Sequence, residues 1–225
     1  MLAAGRTGSP EADDALEQLC RDYWYPLYAY TRRRGHSPHD AQDLVQEFFA
    51  RFLAKNYLEG LSAERGKFRS FLLVCLNHFL ANARDRASAA KRGGGKQLIS
   101  LDEQAAEERY HLEPVSTLTP AMVFERRWAL TLLDSALRRL REEYSRSGRE
   151  LQFDRLKGYL EGDVGRGDYD QAAADLKTSP GAVAMAVQRL RRSYRDLVRA
   201  EIARTVSDNA EVEGEMRHLF AVLSG

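Results

Sequence analysis

Apolar side chains recur along the chain at intervals of three and four residues, which is the spacing of an amphipathic α-helix. Alternation of apolar and polar residues, which would predict β-strands, is nowhere sustained. The pattern therefore predicts an all-α protein. Its clearest helix starts near Lys67 and presents an apolar face made of Phe68, Phe71, Leu72, Cys75, Leu76, Phe79 and Leu80.

Prolines and glycines divide this pattern into successive elements. Residues 13–34 predict a first helix that Pro26 kinks or splits, because proline removes a backbone donor. A second helix is predicted at 38–55, ahead of the helix that starts near Lys67. Later helices are predicted at 121–144, 151–161, 169–177, 182–206 and 211–223.

Two domains are expected from the breaks between these helices. Gly93, Gly94 and Gly95 cannot sit cheaply in a helix, and the stretch after them is rich in acidic residues, Ser, Thr and Pro. We predict a first domain at 13–96, a flexible linker at 97–120, a second domain at 121–206 and a C-terminal extension helix at 207–225.

The net charge of +1 does not by itself indicate a nucleic-acid partner, but the distribution of charge is informative. Residues 20–100 hold 14 basic and 7 acidic side chains, and residues 122–200 hold 16 and 12. The segments between and outside these blocks are net acidic. Two basic blocks suit two domains that face DNA. Ordinary scatter of charge is the alternative.

Cys20 and Cys75 stand far apart and in no metal-like spacing, so we expect reduced thiols and a cytoplasmic location. No apolar run approaches the roughly 18 residues that a membrane span needs. The first ten residues lack the apolar stretch of a secretion signal. We expect no association with membranes.

Residues 169–200 carry the pattern of a helix-turn-helix: a short alanine-rich helix, a four-residue turn and a long basic helix. Thr178 or Ser179 is expected to cap the second helix, whose Val183, Val187 and Leu190 face the core. Its outward face offers glutamine and arginine, which read adenine and guanine in the major groove. A plain helical hairpin with a solvated basic face is the alternative.

Two further groups of polar residues stand out in the first block. The acidic positions of the second helix share one face, which a solvated surface would also explain; the group is Asp40, Asp43, Gln46 and Glu47. Basic and amide side chains surround the third helix and its tail, as single-strand binding requires, although the phenylalanines there suit a core better than stacking on bases.

These segments resemble, in order, the two domains of extracytoplasmic-function (ECF) sigma factors of the sigma-70 family. Residues 25–35 (YPLYAYTRRRG) and 40–49 (DAQDLVQEFF) resemble region 2, whose second helix holds the beta-prime clamp helices of RNA polymerase. Residues 68–77 (FRSFLLVCLN) are similar to the helix that leads into recognition of the −10 element. Residues 182–192 (AVAMAVQRLRR) resemble the −35 reading helix of region 4.

The resemblance implies a transcription initiation factor, not an enzyme, which would bind core polymerase through the clamp helices and the beta flap. Promoter DNA and an anti-sigma factor are the other implied partners, and no metal or cofactor is needed. Polymerase contacts would be Asp40, Asp43, Gln46 and Glu47. Contacts to the −10 element would be Arg69, Asn77, Asn82, Arg84, Arg86, Lys91 and Arg92. Contacts to the −35 element would be Thr178, Ser179, Ala184, Met185, Gln188, Arg189 and Arg192.

The chain also departs from the family pattern. Ala184 and Ala186 replace the small polar and basic residues usual in the reading helix, and residues 162–167 are a glycine-rich insertion. The amphipathic extension at 207–225 suggests a docking helix that regulates activity; a simple extension of the second domain's core is the alternative.

Three rival functions remain open. A polymerase-independent helix-turn-helix regulator would form dimers on palindromic sites, whereas a sigma factor is expected to be monomeric when free. An adaptor would keep polymerase binding without initiation. An enzyme is the weakest rival, since no nucleophile, base or metal cluster can be assembled. The spacing of the Gly93–Lys96 segment is also wrong for a phosphate loop.

Overall fold

The computed structural model describes residues 10–54, 67–89, 103–111, 118–160, 169–206 and 208–224. Regular structure in these ranges is helical and no strand occurs in them, which confirms the all-α prediction. The helices are α1 (Pro10–Arg33), α2 (Pro38–Ala54), α3 (Phe68–Ala89), α4 (Glu103–His111), α5 (Pro120–Arg146), α6 (Glu150–Leu156), α7 (Asp170–Asp175), α8 (Pro180–Ala203) and α9 (Val212–Ser224).

Helices α2, α5 and α8 begin with the same capping motif, a Ser or Thr followed by a proline. The hydroxyl oxygens of Ser37, Thr119 and Ser179 accept hydrogen bonds from the backbone N–H group three residues ahead, at 3.1, 3.3 and 3.2 Å. The following proline costs nothing there, because the first turn of a helix has no partner for its N–H groups. The sequence thus fixes three helix starts locally.

Two elements differ from the sequence-based prediction. Helix α1 is continuous through Pro26, so the proline does not split it. Helix α4 lies within the stretch predicted to be a linker without regular structure. The glycine run Gly93–Gly95 and the insertion at 162–167 lie outside the described residues.

The chain forms two compact units, the first made of Met1–Thr131 and Ala203–Gly225. In this first unit, helix α2 contacts α1, α3 and α4. The core is aromatic, and α9 contributes to it through the fully buried Leu219. Burying large aromatic side chains supplies much of the hydrophobic stabilisation of a small unit. Side chains in this core include Trp24, Tyr28, Phe49, Phe52 and Phe124.

The second unit, Leu132–Ile202, contains the later part of α5, then α6, α7 and nearly all of α8. Val183, Val187 and Leu190 are buried there, which confirms the predicted core face of α8. They pack in one unit with Leu140 and Phe153, which are also buried. Among the described residues, no helix combines the length and the apolar character that crossing a bilayer needs.

Candidate functional surfaces

The turn between α7 and α8 is closed by backbone hydrogen bonds that end α7. The N–H of Thr178 donates to the carbonyl of Ala173 at 2.9 Å, and the N–H of Lys177 donates to Ala174 at 3.2 Å. This pattern needs a left-handed residue after the helix, usually glycine. Lys177 adopts it with φ of 51°. Ala172 and Ala173 are buried, so the short α7 can pack closely, as in a helix-turn-helix.

The outward face of α8 carries the predicted duplex-reading residues. Met185, Gln188, Arg189 and Arg192 are exposed, as are Thr178 and Ser179 before them, whereas Ala184 is half-buried. Of the two cap candidates, Ser179 is the one that caps α8. The exposed side chains therefore share one surface of this unit, and Met185 brings an apolar group to it with 54% of its area exposed.

An open groove of about 420 Å³ runs along the same helix and is strongly basic. One wall residue, Arg191, is anchored by a hydrogen bond from its Nε to the carbonyl of Tyr159 at 3.0 Å. Arginines in such an array attract phosphate groups and give bidentate hydrogen bonds to them. The groove is lined by Gln188, Arg191, Arg192, Arg195, Asp196 and Arg199.

Three of the four predicted polymerase contacts share the exposed face of α2. Asp40, Asp43 and Glu47 are exposed, and Glu47 pairs with Arg51 at 2.5 Å. Gln46 differs, because only 8% of it is exposed. A helix turns by about 100° per residue, which places Gln46 on the flank next to Glu47 and towards the core. The carboxylates, not Gln46, are available to a partner.

Arg69, a predicted −10 contact, is buried in a cluster of charges at the start of α3. It is 4% exposed, and its Nε lies 2.6 Å from Glu125 of α5. Its second guanidinium nitrogen pairs with Glu215 of α9. The guanidinium carbon also lies 4.6 Å from the ring centre of Trp128, within the range of a cation–π contact. In this conformation the guanidinium is enclosed by protein.

The remaining −10 candidates divide into bonded and exposed groups. The Oδ1 atom of Asn77 accepts hydrogen bonds from the Tyr30 hydroxyl at 2.7 Å and from Arg34 at 2.5 Å, so Asn77 ties α3 to α1. Asn82 and Arg84 are exposed. Asn82 also borders a cavity of about 160 Å³ lined by aromatic residues of α2 and α3. The side chain of Arg86, and all of Lys91 and Arg92, lie outside the described residues.

A polar cluster that the sequence analysis missed fixes α4 to α1. Glu107 accepts hydrogen bonds from the Tyr28 hydroxyl at 2.6 Å and from two nitrogens of Arg32 at 3.0 and 2.6 Å. The Arg32 hydrogen bond lowers the pKa of Glu107. Burial, followed by the bond to Glu107, raises the pKa of Tyr28. The run EQAAEERYH, composed largely of strong helix formers, was the signal available for this helix.

The comparisons with known proteins identify a family. A family model described as ECF sigma factor matches residues 10–200 of the chain. No curated protein and no solved structure matches the chain significantly. Within the described ranges, no group of three or more His, Cys, Asp or Glu side chains could hold a metal ion.

Proposed function

Because the chain belongs to the ECF sigma factor family, we propose that it directs core RNA polymerase to specific promoters and helps to open their −10 region. Promoter-specific initiation with polymerase is what membership of the family implies. We further propose that separate surfaces of this chain carry the separate steps. The observation that supports it best is the exposed helix-turn-helix face beside an arginine-lined groove.

Reading of the −35 duplex is assigned to α8. Gln188 and Arg189 are exposed and of the residue types that pair bidentately with adenine and guanine, and Met185 suits a thymine methyl group. Arg195 and Arg199, further along the groove, are placed to contact phosphates, which fix register without reading sequence. The second unit would thus supply both the sequence specificity and much of the salt-dependent affinity.

Docking on polymerase is assigned to the exposed face of α2, towards the beta-prime clamp helices. Asp40, Asp43 and Glu47 present three carboxylates on one side of a helix that is anchored by a buried aromatic stripe. Carboxylates of this kind steer association, and they also add affinity where they form close charge pairs across the interface. The beta flap is the proposed partner of the second unit.

Capture of the opened −10 strand is assigned to α3 and the residues after it. Asn82 and Arg84 are exposed and offer donors to bases and phosphates. Unpairing and flipping a base costs a few kcal/mol, which contacts to the extruded base offset. The same helix would therefore hold the opened strand away from its complement once polymerase has bound the promoter.

The polymerase assignment is tested with an Asp43→Ala/Glu47→Ala double variant in pull-down and run-off assays with purified core enzyme. A matched control is Glu142→Ala/Glu150→Ala, which removes two exposed, arginine-paired carboxylates from the second unit. We expect the first variant to bind core polymerase about tenfold or more weakly, because charge pairs at interfaces are commonly worth over 1 kcal/mol. Equal binding by both double variants would refute the assignment of α2.

A further inference from the structure

Helix α9 places a fully buried carboxylate against two basic residues at the start of α3. Glu215 is 0% exposed, and its Oε1 lies 2.6 Å from the ammonium group of Lys67. Its other oxygen pairs with the guanidinium of Arg69. One acidic side chain of the C-terminal extension therefore pairs with two cations at the start of the helix to which we assign single-strand capture.

Several independent contacts hold α9 in this position. Met216 and Leu219, on the same face as Glu215, are buried. In the segment between α8 and α9, the carbonyl of Thr205 accepts a hydrogen bond from the N–H of Phe68 at 3.1 Å. His218 lies 2.9 Å from Glu125, the second carboxylate on Arg69. The extension is thus docked on α3 and on the first part of α5, and it is part of the first unit.

In this contact, the carboxylate of Glu215 takes the place that a phosphate of a nucleic-acid backbone could take. A guanidinium and an ammonium group bind carboxylate and phosphate oxygens with the same short, charge-assisted hydrogen bonds. A buried ion pair gives up the hydration of both charges, so its net stabilisation is often small, whereas a buried cation left without any anion is costly. If Glu215 leaves, a phosphate that takes its place would remove that cost. The match to the family model ends at residue 200, so α9 lies beyond the matched part of the chain.

We propose that α9 is an intramolecular competitor of single-stranded DNA, in which Glu215 holds Lys67 and Arg69 until DNA phosphates displace it. The inference rests on the assignment of strand capture to α3. Because coupling between two binding events is reciprocal, DNA must loosen α9 by the same factor by which α9 weakens DNA binding. The extension would thereby lower the affinity of the protein for single-stranded DNA.

The first test measures binding of a fluorescent 20-nucleotide mixed-sequence single strand by anisotropy. Glu215→Gln removes the buried charge, and Glu213→Gln makes the same charge change at an exposed position of α9. We expect Glu215→Gln to bind the strand about fivefold or more tightly than Glu213→Gln, a typical size for such coupling. Adding Lys67→Gln to Glu215→Gln should remove most of that gain. Equal affinities of the two single variants would overturn the proposal.

The second test uses the wild-type chain and does not depend on how any variant folds. Hydrogen exchange of residues 212–224 is measured with and without the same single strand. Faster exchange in α9 with DNA, while the buried part of α2 is unchanged, supports displacement. Equal or slower exchange in α9 overturns it. Run-off transcription separates the two claims. If DNA speeds exchange in α9 but no run-off transcripts appear, sigma activity alone is contradicted. If run-off transcripts appear but DNA does not speed exchange in α9, the competitor role alone is contradicted.

Discussion

Single carboxylates of this protein occupy two contrasting environments. Asp43 and Glu47 are exposed on α2, where water screens them and a partner can reach them. Glu107 and Glu215 instead lie against arginine, tyrosine or lysine side chains within the first unit. The first pair suits recognition, and the second pair positions the helices α4 and α9.

Glu107 should make stability depend on pH at the acid end. Its folded-state pKa lies below the ordinary 4.5, foremost because Arg32 hydrogen-bonds the ionised form. A depressed carboxyl pKa contributes stability that is fully present above the unfolded pKa and is lost as pH falls through the folded pKa. We therefore expect Glu107→Gln to lower the free energy of unfolding at pH 7 and to reduce its decline below about pH 4.5. Urea unfolding of both proteins across this range measures the difference.

Reading of the −35 duplex should separate into base and phosphate contacts. Gln188→Ala or Arg189→Ala should each weaken binding to the preferred duplex by about 1–3 kcal/mol and relax its sequence preference. Arg195→Ala, further along the groove, should weaken all duplexes similarly and make the salt slope shallower by about one. Anisotropy titrations at several salt concentrations measure both. A uniform loss for Gln188→Ala would contradict its role in base reading.

At the scale of helices, local signals predict elements well where they are strong. The Ser-Pro and Thr-Pro pairs mark the starts of α2, α5 and α8, and the three-four spacing of Val183, Val187 and Leu190 marks the core face of α8. Helix α4 escaped prediction because it has only nine residues and a weak apolar face. Its place is set by the Glu107 cluster, which involves partners 75 and 79 residues away along the chain.

The charged cluster on Arg69 lay beyond sequence reasoning for the same reason. Arg69 and Glu215 are separated by 146 positions, and no local pattern links them. Arg69 could be recognised as a basic residue on a helix that suits DNA, but its burial depends on where α9 docks. The exposure of the candidates on α8 was easier to predict, because the period of a single helix decides which of its sides faces water.

The cap of α8 should matter for both stability and DNA binding. Ser179→Ala removes the hydroxyl that accepts from the N–H of Ala182, and loss of such a cap costs about 0.5–2 kcal/mol. Thermal unfolding should show the loss, and −35 duplex affinity should fall with it. For thermal unfolding, Thr178→Ala is the matched control, since it removes a neighbouring exposed hydroxyl that does not cap the helix. Equal losses of stability in the two variants would contradict the assigned cap.

At the scale of the whole molecule, the chain combines a unit with an exposed acidic helix and a unit with a basic helix-turn-helix. A regulator that works without polymerase would need only the second of these, together with self-association. The proposed function needs both, because it assigns polymerase docking to the first unit and reading of the −35 duplex to the second.

We expect the free chain to be monomeric, since polymerase and not a second copy is the proposed partner. Light scattering at micromolar and higher concentrations should give the mass of one chain, with or without duplex DNA. A stable dimer that binds a palindromic duplex would instead favour the polymerase-independent regulator.

Run-off transcription on genomic promoter fragments, with purified core polymerase, tests the central claim most directly. We predict discrete transcript ends when the wild-type chain or Glu215→Gln is added, and their loss with Asp43→Ala/Glu47→Ala. The control Glu142→Ala/Glu150→Ala should behave as wild type. If neither the wild type nor Glu215→Gln yields start sites beyond those of core polymerase alone, the chain does not act as a sigma factor.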